Sequence, residues 1–126
     1  MGNPQKYFVK ATYDFATDAG GTGARTLAIT DNVPKGATIT DVILEKVTNI
    51  TASGSDDPTT VITAGGVSCT GAILTTSLAG GAGYVTDALT LRTTYIDTTA
   101  NAAIGVTFAD HAVTGGKFNI TLGYLL

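Results

Sequence analysis

In the last ten residues of the chain, every second side chain is apolar, and the positions between them are mostly polar or glycine. The apolar positions are Phe118, Ile120, Leu122, Tyr124 and Leu126. A period of two predicts a strand that is buried on one face. Because such a strand must pack its apolar face against other strands or helices, we expect this segment to run through the core of the domain.

Length and composition predict one domain with a neutral, β-rich surface. A chain of 126 residues can bury about two thirds of the surface that it exposes when unfolded. Charged residues make up 13 % of the chain, against about 25 % in an average domain, and threonine makes up roughly a fifth of it. Threonine is β-branched and favours strands. We expect an extended arm over residues 1–6, which contains Asn3-Pro4, and a single domain over residues 7–126.

Several partner classes are not supported by the charge and hydropathy of the chain. The net charge is −3 and the seven Lys and Arg residues are scattered, whereas phosphate binding needs clustered cations, so we expect no nucleic-acid partner. No window approaches 18 consecutive apolar residues, and the N-terminal residues lack the apolar run of a signal peptide. We therefore expect synthesis in the cytoplasm and no membrane partner.

Further alternating segments predict strands along the chain. From Tyr7 to Phe15 the odd-numbered residues are apolar, and the even-numbered residues are polar except for Phe8. Ile39 to Ile50 is the longest candidate, and a bulge near its middle would reconcile its two mixed faces. Val61 to Ala64 and Val67 to Thr70 flank Gly65-Gly66 and predict a hairpin. Ile104 to Phe108 alternates cleanly, and Asp110 to Gly116 is predicted to link it to the last strand.

These segments predict an all-β fold. We count about eight strands with turn residues every ten or so positions, and no amphipathic helix of useful length. The expected architecture is a β-sandwich, jelly-roll-like in its strand order. An immunoglobulin-like order remains open, because the spacing of the strands does not decide it.

Candidate catalytic residues have simpler structural interpretations. Cys69 is the only cysteine, so no internal disulfide can form, and we interpret it as a buried apolar side chain. His111 is the only histidine and is interpreted as a loop residue. The residues from Gly66 to Gly71 do not have the spacing of a nucleophile elbow. We therefore predict no catalytic residue, no cofactor and no enzyme activity.

Candidate binding motifs are equally sparse. The glycine clusters at 20–23 and 80–83 lack the Lys-Ser or Lys-Thr pair of a phosphate loop and are predicted to be loop tips. Asp56-Asp57 could contribute to a calcium site, but the remaining ligands of an EF-hand loop are missing, so a solvated turn is favoured and no metal site is predicted. Asn49 and Asn119 match the glycosylation acceptor pattern, which we interpret as coincidence in a chain without a secretory signal.

Three segments carry a resemblance to a known group of proteins. They are the C-terminal segment from Ala102 to Leu126, including Val113-Thr114-Gly115-Gly116-Lys117-Phe118, the opening Tyr13-Asp14-Phe15-Ala16-Thr17-Asp18 followed by glycines, and the stretch from Pro34 to Val42. Together they resemble small virion structural proteins of tailed bacteriophages, of the capsid decoration or cement type. These are strand-and-turn patterns, and they identify no individual binding residue.

The resemblance implies a β-sandwich that assembles as a symmetric homo-oligomer, with a trimer favoured, on the outer surface of a bacteriophage head. The implied partner is the major capsid protein, and the implied location is the virion. An alternative is a receptor- or carbohydrate-binding module of a phage fibre, for which Tyr84 and Tyr95 are the candidate exposed aromatic residues. An enzyme ranks third and would need a pocket that brings His111 together with a carboxylate such as Asp110.

Overall fold

The computed structural model describes residues 5–53, 59–70, 73–74, 84–85, 94–95 and 102–126, and these residues are almost entirely β-structure. The elements in chain order are β1 (Lys6–Asp14), α1 (Phe15–Asp18), β2 (Gly21–Thr26), β3 (Ile29–Thr30), β4 (Asn32–Val33), β5 (Thr38–Ala52), β6 (Thr59–Ala64), β7 (Val67–Ser68), β8 (Ile73–Leu74), β9 (Tyr84–Val85), β10 (Thr94–Tyr95) and β11 (Ala102–Leu125). Every strand pair between them is antiparallel. The predicted all-β sandwich is confirmed.

The long strand β11 belongs to both layers of the sandwich. Its first half pairs with β2 on one side and β6 on the other, and we call these strands the β2–β6 layer. Its second half pairs with β1 and β5, which form the β1–β5 layer. The short strand β3 extends the β1–β5 layer beyond β1. The two layers are therefore one hydrogen-bonded sheet that is folded over at β11.

The bend in β11 is visible in its ring contacts. The ring of Tyr13 lies 5.0 Å from that of Phe108 and 5.3 Å from that of Phe118, centroid to centroid. The two phenylalanines therefore lie no farther apart than these distances together, about 10 Å. A straight strand would place residues ten positions apart roughly 33 Å from each other. The strand must therefore turn back between them.

The backbone between Phe108 and Phe118 supplies this turn. Asp110 and Gly116 have positive φ angles of 74° and 116°, and the register with β2 and β5 shifts repeatedly in this region. The sequence predicted a link over 110–116 between two separate strands. The structure instead assigns strand throughout, because pairing continues at Val113, which lies opposite Gly21 and Ala52.

The core lies between the two layers, and the predicted parities describe most of it. Phe118, Ile120, Leu122 and Tyr124 are buried, whereas Leu126 is 71 % exposed at the end of the strand. On β1 the predicted core parity is buried at Val9, Ala11 and Tyr13, but Tyr7 at its start is 38 % exposed. The predicted core parity of the first half of β11 is buried throughout. The largest fully buried side chains are Tyr13, Phe108, Phe118, Ile39, Leu44, Ile62, Ile104, Ile120 and Leu122.

Strand β5 contains the predicted irregularity, and it occurs more than once. Asp41 pairs with Gly123 and Ile39 with Tyr124, so one extra residue of β5 lies between these pairs. A second extra residue, Val47, lies between the partners of Lys117 and Phe118. Each bulge shifts the parity by one position. Ile39 and Val42 can therefore both be buried although they are three residues apart.

Some local predictions were wrong at their boundaries. Phe15 does not continue β1 but begins the one-turn helix α1, where the carboxylate of Asp14 accepts a hydrogen bond from the backbone N–H of Ala16 at 3.0 Å. Gly21 to Gly23 form the start of β2 rather than a loop tip, because β2 pairs with β11 there. The predicted hairpin is confirmed: β6 and β7 pair across Gly65-Gly66, both of which have positive φ angles.

The predicted boundary of the arm falls inside the first strand. β1 begins at Lys6, which pairs with Leu125. Residues 1–4 lie outside the described residues, so an arm over that segment stays a prediction.

Truncating the buried face of β11 should destabilise the domain strongly. Phe118→Ala should lower the free energy of unfolding by about 3–5 kcal/mol and Leu122→Ala by about 2–5 kcal/mol, because both side chains are fully buried. Leu126→Ala is the control and should change it by less than about 0.5 kcal/mol. Chemical denaturation measures all three variants, and equal small effects would contradict the assigned parity.

Gly116 should tolerate a side chain less well than Gly66. Both have positive φ angles, but a Cβ atom at Gly116 would lie 2.5 Å from Cδ1 and 2.7 Å from Cα of Ile50, whereas at Gly66 it would meet nothing within 4 Å. Gly66→Ala should cost about 1–2 kcal/mol from backbone strain alone. Gly116→Ala should cost roughly 1–3 kcal/mol more, from the collision. Equal costs in denaturation experiments would show that β11 does not approach β5 this closely.

Candidate functional site

Cys69 is buried, as predicted, and its environment disfavours the reactive form of the thiol. Its backbone N–H donates to the carbonyl of Ile62 at 2.8 Å, and its Sγ lies 3.7 Å from the carbonyl oxygen of Val67. Burial raises the pKa of the Cys69 thiol from its ordinary value of 9.0 to about 11. The thiol is therefore protonated at neutral pH and is a poor nucleophile.

His111 and Asp110 lie in the bend of β11. Asp110 is exposed and His111 is half-buried. Neither residue lines the hollow described below. Asp110 lies where β11 passes from the β2–β6 layer to the β1–β5 layer, and this change of direction accounts for its positive φ angle. No catalytic role is needed to explain that backbone conformation.

The remaining sequence candidates fall into three groups. Asp56-Asp57, the glycine cluster at 80–83 and the side chains of Tyr84 and Tyr95 lie outside the described residues. Asn49 is exposed on β5, whereas Asn119 is half-buried within β11. Within the described part of the chain, no three or more His, Cys, Asp or Glu residues group together as metal ligands would.

No helix among the described residues is long and apolar enough to span a membrane.

The feature with the clearest capacity to bind is the surface of the β1–β5 layer that points away from the core. Here β3, β1, β11 and β5 lie side by side, and we call this surface the outer face. Its side chains come from the positions that alternate with the buried ones. They are Phe8, Lys10, Thr12, Ile29, Asp41, Ile43, Glu45, Asn119 and Thr121.

A chain of side-chain hydrogen bonds crosses the outer face. Thr12 is opposite Asn119, and Asn119 is opposite Glu45. The Thr12 hydroxyl donates to Oδ1 of Asn119 at 2.8 Å, and Nδ2 of Asn119 donates to Oε1 of Glu45 at 3.1 Å. Both functional groups of the Asn119 side chain are engaged, which explains why an amide is suited to this central position.

An ion pair lies at one end of the outer face. Nζ of Lys6 lies 2.7 Å from Oδ2 of Asp41, and the Thr40 hydroxyl donates to the same oxygen at 2.9 Å. The hydrogen bond from Lys6 is the main cause that lowers the pKa of Asp41 below its ordinary value, and that from Thr40 adds to it. Both charged side chains are more than a third exposed, so the pair contributes little to stability.

Phe8 stands on this same face and is 56 % exposed. It is opposite Gly123 of β11, which in turn is opposite Asp41. A Cβ atom at Gly123 would lie 3.1 Å from Cε1 of Phe8 and 2.7 Å from Oδ2 of Asp41. The phenyl ring therefore lies over the glycine, and the remaining half of its surface faces solvent.

A hollow adjoins Phe8 on the outer face. It encloses ≈ 440 Å³ and is lined by Lys10, Ala11, Thr12, Ile43, Glu45, Asn119 and Thr121. This volume lies within the range of ligand pockets, about 300–1,000 Å³. Its lining offers methyl groups, hydroxyls and two charges, which are groups that can hold a ligand by packing and hydrogen bonding.

The sequence indicated only one part of this surface. Phe8 was visible as an aromatic residue on a polar parity. The hydrogen bonds of Asn119 were not predictable, because they depend on the register of three strands, two of which are separated by about a hundred residues of sequence.

The fold is shared with chains from two solved phage capsids. One is from the cyanophage Pam1 capsid asymmetric unit, with a TM-score of 0.61 and 21 % identity over 98 % of this chain and 86 % of that one. The other is from the acidic stable capsid structure of Helicobacter pylori bacteriophage KHP30, with a TM-score of 0.57 and 16 % identity over 96 % and 87 % of the two chains. At these identities the likeness establishes a common fold. No protein-family model matches the chain, and no curated protein matches it.

Cys69 should be inaccessible to thiol reagents in the folded protein. A disulfide reagent added at pH 8 should label the native protein only as fast as it unfolds, and should label it at once in denaturant, because the thiol is buried and its pKa is about 11. Since the pKa is raised on folding, the unfolded chain loses this proton first, and stability should fall as the pH rises from about 9 to 11. Cys69→Ala serves as the control. Stoichiometric labelling of the native protein within seconds would contradict the burial.

Proposed function

We propose that this chain is a structural protein of a bacteriophage virion. The observation that carries the proposal is the shared fold with chains from two phage capsid structures. Each match covers almost all of this chain and most of the other one, so it relates whole chains of similar size rather than a small part of a large protein. The fold alone does not imply a function, and the surface chemistry supplies the second line of support.

That surface is suited to association. Charged residues are few and threonine is abundant, so the surface can be removed from water without separating many ions from their hydration. The polar groups at the centre of the outer face already bond to each other through Asn119. Such groups do not need a new partner when the face is covered. A protein with this surface acts by burying area and not by chemistry.

More specifically, we propose a decoration or cement protein on the outer surface of the head. In this role the chain binds the major capsid protein, and binding to the assembled shell stabilises the shell by mass action. We further propose a homotrimer, because a symmetric assembly multiplies a weak contact made by each copy into a useful affinity. The arm before β1 is our candidate for a segment that becomes ordered on the shell.

The proposal is tested with heads of the encoding phage that were assembled without this chain. The purified protein should bind them at about 0.05 M and at about 0.5 M salt with similar affinity, because few charges are available to steer the encounter. Bound protein is measured by co-sedimentation and by the temperature at which the heads open. A variant that lacks residues 1–4 should bind the heads more weakly than the full-length chain does. Its melting temperature, measured without heads, should equal that of the full-length chain.

Failure to bind at either salt concentration would overturn the decoration role. A fibre module that binds a receptor or a carbohydrate would then become the first alternative. Loss of binding at high salt alone would show that the contact is electrostatic, contrary to the proposal.

A further inference from the structure

We infer that the outer face binds a second copy of this chain, with Phe8 of one copy seated in the hollow of its neighbour. This inference names a contact within the homo-oligomer and so rests on that part of the proposed function. The association test uses the free protein, and a head-binding measurement separates this inference from the decoration role.

Phe8 has the form of a projecting anchor. It breaks the polar parity of β1, and more than half of its surface is exposed. The ring is held in place from below, since it lies over Gly123, where a Cβ atom would approach it to 3.1 Å. A large aromatic side chain held on a rigid strand loses little conformational freedom on binding, which is the property of residues that dominate interfaces.

The hollow has the form of a matching receptor. Its ≈ 440 Å³ can accommodate an aromatic side chain, and Ile43 and the methyl groups of Thr12 and Thr121 supply apolar contacts. Two polar side chains of its lining, Asn119 and Glu45, are hydrogen-bonded to each other at 3.1 Å. When the hollow is covered, the carbonyl and amino groups of Asn119 therefore each keep a hydrogen bond within their own copy.

The charges at the rim also complement a second copy. Lys10 lies on β1 and Glu45 on β5, with β11 between them, so the two opposite charges flank the hollow about two strand spacings apart, roughly 10 Å. A neighbouring copy that inserts Phe8 also brings its own Lys10, two residues further along the same face. We infer that this Lys10 approaches Glu45 of the receiving copy.

These features together favour a copy of this chain over an unrelated partner. The anchor, a hollow that fits it and both signs of charge occur on one face, so the face complements itself without any further assumption. Ile29, which is 62 % exposed on the adjoining strand β3, extends the apolar area that would be covered.

The experiment compares the oligomeric state of four proteins by sedimentation equilibrium between about 1 and 100 µM. The wild type should be oligomeric. Phe8→Ser removes the anchor and Thr121→Arg fills the hollow while leaving Phe8 in place; each should weaken association at least about tenfold, as expected for loss of a half-exposed aromatic contact. Val67→Ser, which alters an exposed side chain on β7, should associate like the wild type. Melting temperatures check that all four proteins are folded.

A charge exchange identifies the partner residues. Lys10→Glu and Glu45→Lys should each weaken association, and the double variant should recover at least part of it, because the pair is restored with its signs reversed. A monomeric wild type at 100 µM would overturn the inference, as would unchanged association of both Phe8→Ser and Thr121→Arg. Heads that still bind Phe8→Ser would leave the decoration role intact while the self-association is lost, so the two proposals fail separately.

Discussion

Tyr13 lies between two phenylalanines of one strand, and this contact shows how the whole sheet is folded. Phe108 belongs to the β2–β6 layer and Phe118 to the β1–β5 layer, yet both pack on the same ring. The Tyr13 hydroxyl donates to the carbonyl of Ala19 at 2.8 Å, so a polar group at the edge of the core is satisfied. Burial is the largest of the causes that raise the pKa of Tyr13 to about 12, which keeps this donor protonated. The bend of β11 brings Phe108 and Phe118 onto this one ring, so the buried side chains of both halves of the strand share one core.

The sequence determined the parity of the strands but not their connection. The alternating segments that end at Leu126 and that include Phe108 were recognisable because burial on one face leaves a period of two. The continuity of β11 was not recognisable, since glycine and aspartate in a bulged strand look the same as in a loop. The hydrogen bonds at Asn119 depend on the register of strands distant in sequence, which no local pattern encodes. Phe8 was recognisable as an aromatic residue on the polar parity of β1. Its position over Gly123 was not, because it depends on the pairing of β1 with β11.

The functional account follows from the same sheet. In both layers that share β11, the side chains on the inner face form the core. The side chains on the outer face therefore remain available as a binding surface. On the β1–β5 layer that surface combines an exposed aromatic ring, a hollow and a hydrogen-bonded centre. None of these supplies a reactive group, and all of them favour contact with another protein. The fold itself is shared with chains from two phage capsid structures.

The central claim is that β11 and the Tyr13 contact make the two layers one cooperative unit. Native-state hydrogen exchange tests it directly, because it gives the free energy of opening at each amide. Amides of Val106 in the β2–β6 layer and of Ile120 in the β1–β5 layer should exchange with the same free energy, equal to that of global unfolding. If the free energy of opening at one of these amides were several kcal/mol lower than at the other, the two layers would unfold independently. That result would contradict the account.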